Sequence, residues 1–111
     1  MEKRQFESGA TRNSDEGKID YEAFLSPTVL EAYGKYMHKN RKMEDGSLRD
    51  GDNWQKGIPV KEYMKSMWRH FFAVWSNHRG IKTEEDEITN LCAVMFNVMG
   101  ILHEKLKEKN G

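Results

Sequence analysis

Apolar residues recur at helical spacing in three segments of this chain, and no segment shows the clear alternation of a strand. The first segment, "SPTVLEAYGKYMHKN", opens with Ser26 as a candidate N-cap and Pro27 at the first helical position. Its apolar residues then follow at intervals of three and four positions. The pattern predicts a helix over about 26–40, followed by a glycine-punctuated loop over 41–57.

Two longer segments are amphipathic along their whole length. One lies between Pro59 and Gly80, which are well placed for the two ends of a helix, and it predicts a helix over about 59–78. The other has acids in its first turn and lysines in its last, as the helix dipole prefers. It predicts a helix over about 84–108, with Thr83 as its N-cap.

These patterns predict an all-α fold, a small helical bundle of three main helices. The short turn at 79–82 should let the two long helices pack as an antiparallel hairpin. Their apolar faces are wide for a three-helix core, so we expect a homo-oligomer, a dimer or higher, that completes the bundle. Residues 1–20 are polar and predict a flexible arm, which leaves 21–111 as a single all-α domain.

Composition narrows the range of partners and compartments. Of the 111 residues, 37% are hydrophobic and 32% charged, and 18 Lys and Arg balance 18 Asp and Glu. This balance gives no general attraction to nucleic acid or to anionic membranes, and no apolar run reaches the ~20 residues that span a bilayer. Cys92 has no second cysteine to pair with, and the N-terminus lacks the apolar stretch of a secretion signal. We therefore expect a cytoplasmic protein.

The stretch "RDGDNWQKGIP" places a tryptophan among charges in the long loop. A loop of this length costs ordering entropy, so it is either disordered or functional. Trp54 could cap the bundle or stack on a nucleobase. In the second case Lys56 would meet phosphates as a point charge, and Asn53 could read a base or ribose edge.

The acidic run "EEDE" at the start of the third predicted helix also has two interpretations. It is either a solvated first turn that the helix dipole favours or a Mg²⁺ site, because hard divalent cations bind carboxylates together with substrate phosphates. Glu84 and Glu87 are spaced i, i+3 and could reach one ion from one helix face. Glu87 and Asn97 fall on one narrow stripe beside the apolar face of this helix, and Asp86 lies just past the edge of that stripe.

A histidine and an arginine stand side by side in the second predicted helix. His70 lies near the edge of the apolar face and could be either a packed residue or a functional one. Arg69 points away from that face and could be ordinary surface charge or a bidentate phosphate donor. The chain has no glycine-rich phosphate loop and no Cys/His cluster typical of zinc.

Taken together, "NWQKG", "YMKSMWRHFFAVW" and "LCAVMFNVMGILHE" resemble the dATP/dGTP diphosphohydrolase N-terminal domain family of small phage and bacterial proteins. That family is related to the all-α, MazG-like nucleoside triphosphate pyrophosphohydrolases. The resemblance also covers "EGKIDYEAFLSP" and "YGKYMHKNR", so it begins at about Gly9. It implies a Mg²⁺-dependent reaction in which water attacks the α-phosphate of a purine dNTP and releases dNMP and pyrophosphate. A phage-encoded member would act in the host cytoplasm.

The resemblance and the helix-face argument together assign roles to individual residues. Expected substrate-binding residues are Asn53, Trp54, Lys56, Arg69 and Asn97; expected catalytic residues are Glu84, Glu87 and His70; expected metal ligands are Glu84, Asp86 and Glu87.

Two alternatives to an enzyme follow from the same residues. The wider superfamily holds metal with paired acidic segments on two helices, whereas this chain has one Glu-x-x-Glu and only Glu62 near the start of the other helix. That pattern suits a non-catalytic protein that binds or sequesters a nucleotide. A helical interaction module without a small-molecule site is the third possibility, and it predicts that no nucleotide raises the melting temperature.

Overall fold

The computed structural model describes residues 3–110, in which three long helices follow a short hairpin. The elements are β1 Lys3–Gln5, β2 Thr11–Asn13, α1 Tyr21–Phe24, α2 Pro27–Lys39, α3 Val60–His78 and α4 Glu87–Asn110, with a 3-10 turn at Asn53–Lys56 before α3. The prediction of three main helices is confirmed. None of the helices described is long and apolar enough to cross a membrane.

The N-terminal residues form a two-stranded hairpin, which the sequence pattern did not predict. β1 and β2 pair antiparallel with Arg4 opposite Arg12, and Gly9 turns the chain between them with a φ of 91°. Arg4 also pairs with the Asp15 carboxylate at 3.1 Å. The expectation that no strand is present was wrong, because strands of three polar residues carry no apolar alternation to detect. Whether residues 1–20 move as an arm stays a prediction.

The ends of α2 and α3 agree with the sequence prediction. The Ser26 side chain accepts a hydrogen bond from the Val29 N–H at 3.2 Å, and Pro27 is the first residue of α2. Such a cap satisfies one of the backbone donors that the first helical turn leaves free. Pro59 directly precedes α3, where its missing N–H costs nothing.

The start of α4 differs from the prediction. α4 begins at Glu87 rather than at 84, and its cap is Asp86, whose Oδ1 accepts from the Thr89 N–H at 2.7 Å. Thr83 does not cap the helix, because its hydroxyl donates to the Glu85 carbonyl at 2.6 Å and so stabilises the preceding turn.

The two long helices form the predicted antiparallel hairpin. The ring centroids of Tyr63, near the start of α3, and Phe96, in the middle of α4, are 5.7 Å apart. Near the other end, Asn90 Nδ2 donates to Asn77 Oδ1 at 2.8 Å. Because early residues of α3 meet later residues of α4, and the reverse, the helices run in opposite directions.

α2 packs on the side of α4 that α3 leaves free. The Tyr33 hydroxyl donates to the Met99 sulfur at 3.7 Å, and the C-terminal end of α2 lies beside the first turn of α4. α4 is therefore the central helix, and α2 and α3 both pack against it.

This arrangement buries little of the apolar surface. Among the described residues, the buried hydrophobic ones are Tyr63, Cys92 and Ala93, and the radius of gyration is 19.5 Å. A compact domain of this length has a radius of gyration of about 13 Å. The chain is thus extended, and much of the apolar face of α3 and α4 lies at the surface.

Candidate functional site

A cavity of about 410 Å³ lies between the C-terminal end of α2, the loop at 41–58, the middle of α3 and the middle of α4. Its volume falls in the ~300–1,000 Å³ range of small-molecule pockets. Apolar wall comes from Ile58 and Phe96, and polar groups converge on it from all four segments. It is large enough for a nucleotide-sized ligand.

Four of the expected site residues line this cavity although they come from three different parts of the chain. Asn53 and Trp54 reach it from the 3-10 turn, His70 from α3 and Asn97 from α4. The structure therefore brings together the loop and helix residues that the sequence had suggested separately.

Trp54 packs against α4 and also lines the cavity. Its ring meets His103 of α4 edge to face, with centroids 4.7 Å apart and planes at 88°. This contact anchors the half-buried indole to the helix, while the same residue forms part of the cavity wall. His103 has no local signal in the sequence, because its partner is distant along the chain.

Asn97 is buried, and its amide has a defined orientation. Its Nδ2 donates to the Ala93 carbonyl at 2.8 Å, one turn earlier in α4. Because a carbonyl can only accept, the amide nitrogen must face the helix, which turns Oδ1 away from that carbonyl. With Asn97 in the cavity wall, this oxygen is suited to accept a hydrogen bond from a ligand N–H.

His70 lies in the cavity wall in a partly buried environment. Burial lowers the pKa of its imidazole below the ordinary 6.5, the neighbouring Arg69 lowers this pKa further, and Glu85 opposes the shift. The ring is therefore mostly neutral at pH 7 and can accept a proton. Glu85 itself lines a smaller neighbouring cavity, although the sequence pattern had pointed to Glu84, Asp86 and Glu87 instead.

The two cations expected to hold phosphate are not at the cavity surface. Lys56 pairs with the Asp50 carboxylate at 3.0 Å, and Arg69 is exposed on α3 outside the cavity wall. The cations that do line the cavity are Arg41, Lys42 and Arg49 of the long loop. No periodic pattern marks these three residues, so the sequence alone does not single them out.

The acids at the start of α4 lie apart from this cavity wall. Glu84 and Asp86 are in the turn before α4 and Glu87 is its first residue, so Glu84 and Glu87 do not share a helix face as predicted. Asp86 is occupied as the helix cap, and its hydrogen bond from the Thr89 N–H lowers the pKa of its carboxyl. Within residues 3–110, no group of three or more His, Cys, Asp or Glu side chains is arranged to hold a metal ion.

A hydrogen-bond network fixes this acidic turn against α3. Buried Asn90 donates from Nδ2 to Asn77 Oδ1 at 2.8 Å and to the Thr83 hydroxyl at 3.1 Å. Asn77 in turn donates to the same hydroxyl at 3.0 Å. The network joins the two long helices at their connection and so determines where Glu85 lies.

A smaller cavity of about 290 Å³ adjoins the larger one. It lies between α2 and the first turns of α4, and both cavities share Tyr36 and Asn40. Glu85 and Lys39 stand in its wall together with the buried Cys92. An extended ligand in the larger cavity could therefore continue toward the acidic turn.

Comparison with known protein families identifies the chain. A family model described as "dATP/dGTP diphosphohydrolase, N-terminal" matches residues 8–111. The chain belongs to this family, as its sequence motifs had indicated. Comparison with curated proteins gave no match, and comparison with solved structures gave none either.

Proposed function

We propose that this member of the dATP/dGTP diphosphohydrolase N-terminal family binds a purine dNTP in the larger cavity and hydrolyses it to dNMP and pyrophosphate. The observation that supports this best is the meeting of Trp54, Asn97 and His70 in a cavity of about 410 Å³. These groups supply an aromatic face, an oriented amide and a neutral base, which suit a nucleotide. The family match supports a nucleotide as the class of substrate.

The base of the nucleotide fits the part of the cavity beside Trp54. Stacking on an indole contributes roughly 1–3 kcal/mol per base. The Asn97 carbonyl oxygen would accept from a base N–H, and Asn53 beside Trp54 would contact the base or ribose edge.

His70 is the proposed general base. In the proposed hydrolysis, the oxygen of a water molecule forms a bond to the α-phosphorus. The bond from that phosphorus to the oxygen that bridges the α- and β-phosphates breaks. Pyrophosphate leaves with the electron pair of the broken bond, and the water proton passes to the imidazole. A neutral imidazole at pH 7 is required for this role, and the lowered pKa of His70 provides it.

We propose that the hydrolysis requires Mg²⁺, and the activity assay described below tests this requirement. Bound with the phosphates, the ion would neutralise their charge, and Glu84, Asp86 and Glu87 are the candidate ligands at the acidic turn. The described residues of one chain do not converge as a three-ligand site. We therefore assign no reaction step to the metal.

A second copy of the chain is the proposed partner for the exposed apolar face. On α4, exposed apolar residues recur at intervals of three and four positions, as in a coiled-coil seam; they are Ile88, Leu91, Met95, Val98, Leu102 and Leu106. α3 carries a similar stripe that includes Trp68, 65% exposed, and Trp75, 53% exposed. Closed assembly of like chains would bury these stripes without requiring a different partner.

Sedimentation velocity tests this assembly directly. The wild-type chain should sediment as a dimer or larger species at micromolar concentration. Leu91→Asp, in the middle of the α4 stripe, should shift it to the monomer, whereas Glu62→Lys, exposed on the polar side of α3, should not. A wild-type monomer at all concentrations would remove the dimer from the proposal.

The activity is tested by incubating the protein with dATP or dGTP, with Mg²⁺ or with EDTA, and separating products by ion-exchange chromatography. We expect dNMP and pyrophosphate only when Mg²⁺ is present. His70→Gln and Glu87→Gln should abolish turnover while both proteins remain folded. An unchanged rate in Glu87→Gln would reject its metal role, and an unchanged rate in His70→Gln would reject it as the base.

A nucleotide-binding protein without catalysis is the second candidate. The observation that favours it is the lack of a three-ligand metal cluster among the described residues. It predicts that dNTPs raise the melting temperature and are recovered intact after long incubation with Mg²⁺.

A further inference from the structure

We propose that Arg41, Lys42 and Arg49, here called the cationic loop residues, bind the polyphosphate of the ligand in the larger cavity. This inference rests on the proposed function, because it concerns the same cavity and the same class of ligand. It replaces Lys56 and Arg69 as the phosphate-binding cations.

Backbone hydrogen bonds bring the three cations together. Lys42 forms an isolated antiparallel bridge with Leu48, and the Arg49 N–H donates to the Arg41 carbonyl at 2.8 Å. The Met43 N–H donates to the Ser47 carbonyl at 2.9 Å and so closes the short turn between them. Residues eight positions apart in sequence are therefore neighbours at the cavity wall.

The turn itself is well specified by its residues. Gly46 has a φ of 87°, which L side chains rarely adopt. The Asp45 carboxylate accepts from both the N–H, at 2.9 Å, and the hydroxyl of Ser47. These contacts hold the loop in shape before any ligand is present.

The guanidinium of Arg41 is oriented within this loop. Its Nε donates to the Arg49 carbonyl at 2.8 Å, which leaves the two terminal nitrogens for other partners. Over residues 3–110, no carboxylate lies within 4.0 Å of any of the three cations. A cavity wall with three such charges attracts an anion, and arginines match phosphate oxygens with two parallel hydrogen bonds.

The acid in the same wall does not cancel these charges. Asp50 lines the cavity but is already paired with Lys56 at 3.0 Å. The wall therefore has a net positive charge on the loop side. Aromatic and amide groups, Trp54 and Asn97, lie elsewhere in the same wall. A ligand with a flat polar ring and a polyanionic tail fits both parts, and a nucleoside polyphosphate has this chemistry.

Calorimetric titration of the full chain with dGTP, deoxyguanosine and inorganic triphosphate, in EDTA, tests the inference. Arg49→Gln and Lys42→Gln remove one charge each and keep the Arg41 Nε contact. Hydrogen bonds to charged groups correspond to roughly tenfold or more in affinity. We expect each variant to lose about this factor for dGTP and inorganic triphosphate, and to bind deoxyguanosine as the wild type does. Arg79→Gln, an exposed arginine at the end of α3, is the matched control and should bind all three ligands normally.

The outcomes separate this inference from the proposed function. If the wild type binds dGTP and the loop variants bind it equally well, the inference is overturned while the nucleotide site stands. If the wild type binds neither dGTP nor deoxyguanosine, both fall. Loss of deoxyguanosine binding in the loop variants would also count against the inference, because it would show a disturbed cavity rather than a lost phosphate contact.

Discussion

Gly100 of α4 lies directly against the Tyr63 ring of α3, and this contact allows a sharp test of the fold. A Cβ atom added at this position would come well inside contact distance of Tyr63 Cε1 and Cζ, and would lie 2.8 Å from Cδ1. The Tyr63 ring cannot easily swing away, because it is only 3% exposed and packs against Phe96. Gly100→Ala should therefore push the two helices apart.

Two opposing effects set the size of the change. Overpacking a well-packed contact costs typically about 1–3 kcal/mol, whereas replacing a helical glycine by alanine gains about 1 kcal/mol. Because the added methyl would meet three ring atoms, we expect the upper part of the first range and a net loss of about 1–2 kcal/mol. For a chain of this size, the loss corresponds to a melting temperature lower by roughly 4–10 °C.

Thermal and urea unfolding followed by circular dichroism measure this change, with Gly34→Ala as the matched control. Gly34 is also inside a helix, but an added Cβ there would have no atom within 4 Å. The control should therefore be stabilised by about 0.5–1 kcal/mol through helix propensity alone. If Gly100→Ala were as stable as Gly34→Ala, Tyr63 would not press against α4 as described. All measurements should be made at one protein concentration, because assembly would shift the apparent stability.

Three further predictions concern the site. Asn90→Ala should lower the free energy of unfolding by about 1–3 kcal/mol, because it leaves the half-buried Asn77 Oδ1 without its donor. An unchanged urea midpoint would contradict the network. Wild-type stability should fall as the pH drops below 6.5. His70 has a lower pKa in the folded chain than in the unfolded chain, so the unfolded chain binds a proton more readily and is favoured. His70→Gln should flatten this pH dependence in urea titrations repeated at several pH values. Trp54→Ala should weaken dGTP binding by roughly 1–3 kcal/mol in calorimetry, and equal affinity would rule out stacking.

The main helices could be predicted because their signals are local. The 3.6-residue period of apolar positions and the proline before α3 specify most of the architecture without reference to the rest of the chain. The start of α4 was misplaced because Thr83 and Asp86 are both suitable caps. Contacts with Asn77 and Asn90, distant in sequence, engage Thr83 and leave the cap to Asp86.

The site was only partly predictable for a related reason. Trp54 and His70 stood out because aromatic and titratable residues in a charged loop or at the edge of an apolar face are unusual. Arg41 and Arg49 did not stand out, because charged residues in a polar loop are common. Only the backbone pairing of the loop shows that these two lie together at a cavity. Charge placement depends on tertiary geometry, which a single sequence does not reveal when no pattern repeats.

α4 connects the proposed ligand site with the proposed assembly surface. Phe96 and Asn97 line the cavity, whereas Met95 and Val98, on the same turn, are 36% and 48% exposed. Successive helical residues differ by about 100° in direction, so one rigid helix carries both surfaces on opposite sides. α4 carries most of the buried residues of the described chain, and a second copy packed on its exposed stripe would hold it further in place. A ligand that binds one ordered arrangement of α2, α3 and α4 would then favour the assembled form. Assembly would favour ligand binding to the same extent, because the coupling between two binding equilibria is reciprocal.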